Sequence, residues 1–347
     1  MAFLNPTPYA AVQATTRALY ADLLTPEQLA LLARAPDTAT LLAQLGQTPY
    51  APYLDIARQL LTPRRIVYQL RLHLAAVYAK LLHFAPKPAR ELLGELWRLY
   101  EVNNLKAVLR GIEQGATWRE VRFLLAPMPH HTVLPLNTLL RLLETDSIER
   151  AIERLRGLPA YYKPLLAALP RYRAEETVFP LEIALDLEYR RALWQRMAQL
   201  PQADREQALP LLGFLLDTDN LLWALRFRLY QRLSEEEIIN YTLAEHDQVS
   251  PATIRAIAAG ADVADVIKRT FSHIPAVQTL KISRQGALLP PGTWLPALEQ
   301  VLYAQLLARC RQCFVGATFH IGAPLAYVIL AEAELRDLTA LVERVAG

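Results

Sequence analysis

Apolar residues recur along this chain at spacings of three and four, and nowhere do they alternate with polar ones for long enough to mark a strand. The pattern predicts helices throughout, and the fold class it defines is all-α. Most of the proline falls between the apolar-periodic segments or just inside their starts, where the missing N–H costs a helix nothing.

The helical pattern repeats. Pro26 is followed eleven residues later by Asp37, Pro135 by Asp146 and Pro251 by Asp262. Proline suits the first helical position and aspartate the N-cap of a following helix, so each segment predicts a short helical hairpin. Thr25 with Gln28 has capping-box spacing, as does Ser234 with Glu237 in the connecting segment before the third hairpin. Further on, Tyr78, Tyr189 and Tyr303 each sit in a long helix (VYAKLL, EYRRAL, LYAQLL). A second long helix then carries Glu101, Asn104 and Leu105, matched by Asp217, Asn220 and Leu221 and by Glu334, Asp337 and Leu338. These marks keep their order at a period of about 116 residues, which divides the chain into 1–125, 126–242 and 243–347. Such units stack as an open solenoid with polar ends or close on themselves. The outer two are as apolar as the middle one, which favours closure.

The polar marks are the candidate site. Glu101 and Asn104, Asp217 and Asn220, and Glu334 and Asp337 each share a helix face, while Arg110 and Arg226 point to nearly the opposite side. Glu343, with Arg344 beside it, stands at the arginine position of the third copy. Two roles stay open. The acid and amide form a buried link to a neighbouring helix, with the repeated tyrosine as a candidate partner, or the rows line a cavity that receives another protein. Buried polar groups need hydrogen-bond partners, which favours the first.

Composition narrows the function. The net charge of +3 suggests neither a nucleic-acid-binding arm nor an acidic tail. Lysine is nearly absent, and arginine in its place suits bidentate contact with a partner's carboxylates, although a GC-rich genome gives the same bias. No basic-then-apolar leader opens the sequence. The longest apolar stretch, Phe314 to Ala331, is interrupted by Gly316, His320, Gly322 and Pro324 and predicts a buried helix preceded by a turn. No phosphate-binding glycine loop, HExxH or nucleophile elbow is present. Cys310 and Cys313 form a lone CxxC in helical periodicity and predict buried thiols; with His320 they are the nearest approach to a metal set. His130 and His131 predict a solvated loop pair, and the acidic pairs Glu175-Glu176 and Glu235-Glu236 predict helix starts. No cofactor, metal or small-molecule substrate is expected.

The pattern E-x-x-N-L-x-x-x-L-R at Glu101 to Arg110, its second copy D-x-x-N-L-x-x-x-L-R at Asp217 to Arg226, and the C-terminal PLAYVILAEAELRDLTALVER resemble the C subunit of A/V-type rotary ATPases, the equivalent of the d subunit of the eukaryotic vacuolar enzyme. The resemblance covers essentially the whole chain. It implies a funnel of three similar helical parts on the cytoplasmic face of a membrane rotor ring, receiving the central shaft made by the D and F subunits, one copy per complex. Such a protein transmits torque and binds no nucleotide. Glu343 departs from the arginine of the other copies. The rival readings are a helical-repeat adaptor with a concave peptide-binding face, an RNA-binding protein and a CxxC thiol enzyme.

Overall fold

The computed structural model describes residues 7–56, 61–127, 132–282, 290–316 and 319–347. His130 and His131 lie outside them. Among the described residues every regular element is helical. After a 3-10 turn at Thr7–Tyr9 come α1 (Ala10–Ala21), α2 (Pro26–Ala33), α3 (Thr38–Leu45), α4 (Ala51–Leu54), α5 (Pro63–Phe84) and α6 (Lys87–Glu113). The order of short connector, short hairpin, a further helix and two long helices then recurs. The second run is α7 (Trp118–Val121), α8 (Leu136–Leu143), α9 (Ile148–Arg154), α10 (Pro159–Glu175), α11 (Phe179–Ala198) and α12 (Gln202–Arg226). A π-helical turn at Phe227–Gln231 leads to α13 (Glu235–Asn240), α14 (Pro251–Ala258), α15 (Val263–Thr270), α16 (Pro275–Thr279), α17 (Pro291–Gln312) and α18 (Gly322–Ala346).

Local chemistry fixes the starts. Thr25 and Gln28 form their capping box, Ser234 and Glu237 form another, and a third closes at Thr117 and Glu120 ahead of the second hairpin. Asp37 caps α3 by accepting from the Thr40 amide, and Asp262 caps α15 through the amides of Ala264 and Asp265. The middle copy departs from expectation. Ser147 rather than Asp146 caps α9, accepting from the Arg150 amide, and Asp146 pairs with the Arg150 side chain instead. Serine is as good a cap, and placing it one residue on frees the aspartate for an ion pair. Pro135 is likewise the N-cap of α8 rather than its first residue. Glu175 and Glu176 close a helix instead of opening one. Glu175 ends α10 in a 2.7 Å pair with Arg171, and Glu176 turns left-handed at φ 51°.

Contacts group the described residues into two compact units, one within Arg190–Ala326, the other of the residues up to Tyr189 with Tyr327–Gly347. In the second of these, α6 packs against α5, α7, α8 and α9, and α5 also meets α1 and α4. Its core holds Leu70, Tyr78, Leu92, Leu105, Leu109, Leu139, Tyr161 and Leu338, all essentially inaccessible. In the first, α12 packs against α14 and α17 around Leu212, Phe214, Leu225, Ile257, Phe271 and Leu302. Each such side chain contributes about 1.5–3 kcal/mol by leaving water.

Residues Gln202–Gln231 form the one described helical stretch long and apolar enough to cross a membrane, yet 72% of that window is buried inside the protein. With Asp204, Asp217 and Asn220 all buried on it, it is a core helix.

Candidate functional site: polar clasps on the second long helices

The acid and amide marks sit one turn apart on the buried faces of α6 and α12, where Glu101, Asn104, Asp217 and Asn220 are each at most 4% exposed. Buried amides and carboxylates are costly unless bonded, and these are bonded in a repeated way. On α6, Asn104 clasps Ala126. Its Nδ2 donates to the Ala126 carbonyl at 2.9 Å and its Oδ1 accepts from the Ala126 amide at 2.7 Å. On α12, Asn220 clasps Leu243 identically, at 3.1 Å and 2.8 Å. Each clasp ties a long helix to the segment leading into the next hairpin.

The acids secure the following turn. Glu101 accepts from the Val133 amide at 3.1 Å and from the Tyr161 hydroxyl at 2.5 Å. Asp217, one methylene shorter, is not bonded in that way. It gathers consecutive backbone amides instead: Asp247 at 3.2 Å, Val249 at 2.8 Å and Gln248 between them. Glu334 on α18 repeats the Glu101 arrangement, accepting from the Leu24 amide at 2.6 Å and the Tyr50 hydroxyl at 2.8 Å. The first hairpin is thus held by the last helix, across more than 280 residues of chain. Burial raises the pKa of all three carboxyls, and the hydrogen bonds they accept pull it back.

Asp337 does not follow its counterparts. It is exposed, and among the described residues no hydrogen bond like the asparagine clasp is seen at it. The reason is chemical: that clasp needs a donor and an acceptor on one side chain, and an ionised carboxylate only accepts. Tyr78, the first of the repeated tyrosines, is not the partner of the Glu101 or Glu334 carboxylate. Tyr50 and Tyr161, which no sequence landmark marked, take that place. Tyr78 donates instead to Glu332 at 2.7 Å, inside an aromatic group where Trp97 stacks on Tyr100 at 4.6 Å.

The arginines on the opposite face bind long helices. Arg110 grips Glu182 of α11 through Nε and Nη2, at 2.5 and 2.9 Å, next to a Lys106–Asp186 pair at 2.7 Å. Arg226 reaches Glu299 of α17 at 2.6 Å. The last turns also meet the hairpins. Arg344 donates to the carbonyls of Ala33 and Ala35 at the end of α2, and Arg228 does the same at Ile257 in the last turn of α14 and at Ala261 just beyond it. At the place in α6 that corresponds to Arg344 stands Gly111, where a Cβ would lie 2.9 Å from Leu143, so that helix meets its hairpin by direct approach.

None of these groups forms a reactive constellation. Among the described residues no three His, Cys, Asp or Glu side chains gather as a metal site. Cys310 is fully buried, and burial pushes its thiol up to about 12, the opposite of an activated cysteine. The polar rows are absent from the linings of two clefts, one of about 500 Å³ beside Leu42 and Pro52 and one of about 250 Å³ beside Arg191 and Arg255.

Buried polar groups spent on holding helices to hairpins define a helical scaffold. Comparison with known proteins makes the class specific: residues 12–347 match the model of the ATP synthase (C/AC39) subunit family. The chain belongs to that family, and is a structural, non-catalytic subunit rather than an enzyme in its own right. It is 22% identical over 346 residues to the C subunit of the A-type ATP synthase of Methanocaldococcus jannaschii, covering 98% of this chain and 83% of that protein. It is 25% identical to the C subunit of the A-type ATP synthase of Methanobrevibacter smithii, over 96% and 83% of the two chains. The corresponding protein of Methanosphaera stadtmanae is 24% identical over 95% and 82%.

Proposed function

We propose that this chain is the central-stalk rotor component of an A/V-type rotary ATPase, coupling the membrane ring to the central shaft during proton or sodium transport. In this reading the three parts, 1–125, 126–242 and 243–347, close as a pseudo-threefold funnel on the cytoplasmic face of the ring. Its cavity takes the foot of the shaft, formed by the D and F subunits, with one copy per complex. The polar rows lie between the parts and keep that cavity's wall stiff.

The observation that supports this best is the cyclic order of the clasps. Helix α6 holds the second hairpin region, α12 the third and α18 the first. A solenoid leaves its last unit facing solvent; here the last helix is committed to the first hairpin. Torque transmission needs such a wall, because a part that opens under load turns elastic strain into local unfolding. The test is affinity purification of the tagged full chain from gently solubilised native membranes, with mass spectrometry of what accompanies it. Ring and shaft proteins are expected together. A soluble pool carrying unrelated proteins and no ring component would favour the helical-repeat adaptor instead.

A further inference from the structure

Helix α5 carries Arg64, Arg65, Arg71 and Lys80 and no aspartate or glutamate. Arg64, Tyr68 and Arg71 fall at helical spacings of four and three, so they share one face, with Arg65 beside it. The short helix α7 adds charge of the same sign: Arg119 and Arg122 stand three residues apart, and Arg122 keeps helical backbone angles. Side chains of the two elements meet at Phe123. The Arg122 guanidinium lies over its ring at 4.4 Å from the centroid, that of Arg65 at 6.0 Å, and Tyr68 packs edge-on at 5.9 Å. Cation–π attraction thus gathers two like charges on one ring. Among the described residues no carboxylate pairs with Arg64, Arg65, Arg119 or Arg122. Glu120, which stands between the last two in sequence, accepts from the Thr117 amide and hydroxyl, each at 2.7 Å.

The segment that displays these groups is fixed from behind. Arg71 donates to the Leu124 carbonyl at 2.9 Å, and Asn104 holds both backbone groups of Ala126. Leu125 and Ala126 are buried, while Arg122 is exposed and Leu124 is 48% exposed. Guanidiniums without a counter-ion beside an exposed leucine, on backbone already held in place, have the chemistry of a protein-binding hot spot. Their planar forks match carboxylates. A nucleic acid would need an open ring on which to stack a base, and Phe123 is already engaged by Arg65, Arg122 and Tyr68. We propose that the cluster of Arg65, Phe123 and Arg122, flanked in sequence by Arg64 and Arg119, docks an acidic segment of a neighbouring protein, whose carboxylates take the two guanidinium forks. This goes beyond the rotor reading and stands without it, since it needs only that the chain be one subunit among others.

The test titrates a fluorescein-labelled decaglutamate peptide into the purified full chain at low salt, for wild type, Arg65→Gln/Arg122→Gln and the control Arg150→Gln/Arg156→Gln. The control makes the same change in net charge at exposed arginines that already have acidic neighbours, Asp146 and Glu153. The site variant is expected to weaken decaglutamate binding about tenfold and the control less than about twofold. Arg122→Gln alone, at an exposed position, is expected to weaken it about threefold, and decides the matter if the double variant melts below the assay temperature. Equal loss in site and control variants, or loss in neither, would overturn the site. Tighter binding of a decauridine RNA or of phosphatidylglycerol vesicles than of decaglutamate, abolished in the site variant, would overturn the acidic protein as occupant. In the assembled complex the tagged site variant is expected to detach at roughly half the sodium chloride concentration that removes wild type. Detachment at the same concentration would overturn docking through this cluster. Wild type that copurifies with no ring or shaft protein would end the rotor reading and leave the peptide titration to decide this one.

Discussion

The clasps of α6 and α12 solve one problem with different parts. On α6 a glutamate reaches outward and shares its carboxylate between a backbone amide and the Tyr161 hydroxyl. On α12 an aspartate stays close and takes three consecutive amides. The first ties together two side chains sixty residues apart, so it fixes the start of α10 as well as the turn. The second orders one stretch of backbone and nothing beyond it. A shorter acid therefore concentrates its stabilisation in a loop, and a longer one spreads it over a hairpin. The clasp of α18 is of the spread kind, which suits a contact that joins the two ends of the chain.

The comparison is broken hardest at Asp217. Asp217→Ala leaves three amides without an acceptor in a buried turn and should cost about 3–4 kcal/mol in denaturant unfolding. Next come Asn104→Leu and Asn220→Leu, each of which strands a buried amide and carbonyl at a cost of about 2–3 kcal/mol. Because these asparagines face the core, partner affinity at a temperature well below the melt should change little. Unchanged melting with lost binding would assign them to the interface instead. Tyr161→Phe and Tyr50→Phe remove one donor each and should cost about 1–2 kcal/mol, an effect with no equivalent on α12. Arg110→Ala is expected to cost only about 0.5 kcal/mol, because its side chain is 53% exposed and solvent screens the pair.

Acidity sharpens the same comparison. Burial raises the Glu101 carboxyl above its ordinary 4.5. A carboxyl raised on folding holds its proton more tightly in the native state, so stability from this group declines as pH climbs from about 4.5 through the native value. Glu101→Gln does not titrate. The advantage of wild type over Glu101→Gln should therefore be largest near pH 4 and shrink towards neutrality, read from thermal midpoints across that range.

Much of this was legible in the sequence, and the parts that were not share a cause. The hairpins, long helices and clasp residues follow from spacing, because helix faces and caps are local properties. Helix α10 was not, since Pro164 and Pro170 inside it read as breaks. Tyr50 and Tyr161 went unmarked because their role depends on a carboxylate 284 and 60 residues away. No spacing rule connects such residues. The third copy has Pro275 near the corresponding place, so the tyrosine is not even part of the repeat.

The central claim, that the chain turns with the ring, is tested most directly by locking the two together. An engineered disulfide between this chain and a ring protein, made in the assembled complex, should leave ATP-driven ion pumping at its uncrosslinked rate, because both sides rotate as one body. Pumping that stops on oxidation and returns on reduction would contradict the account and place the chain in the stationary part of the motor.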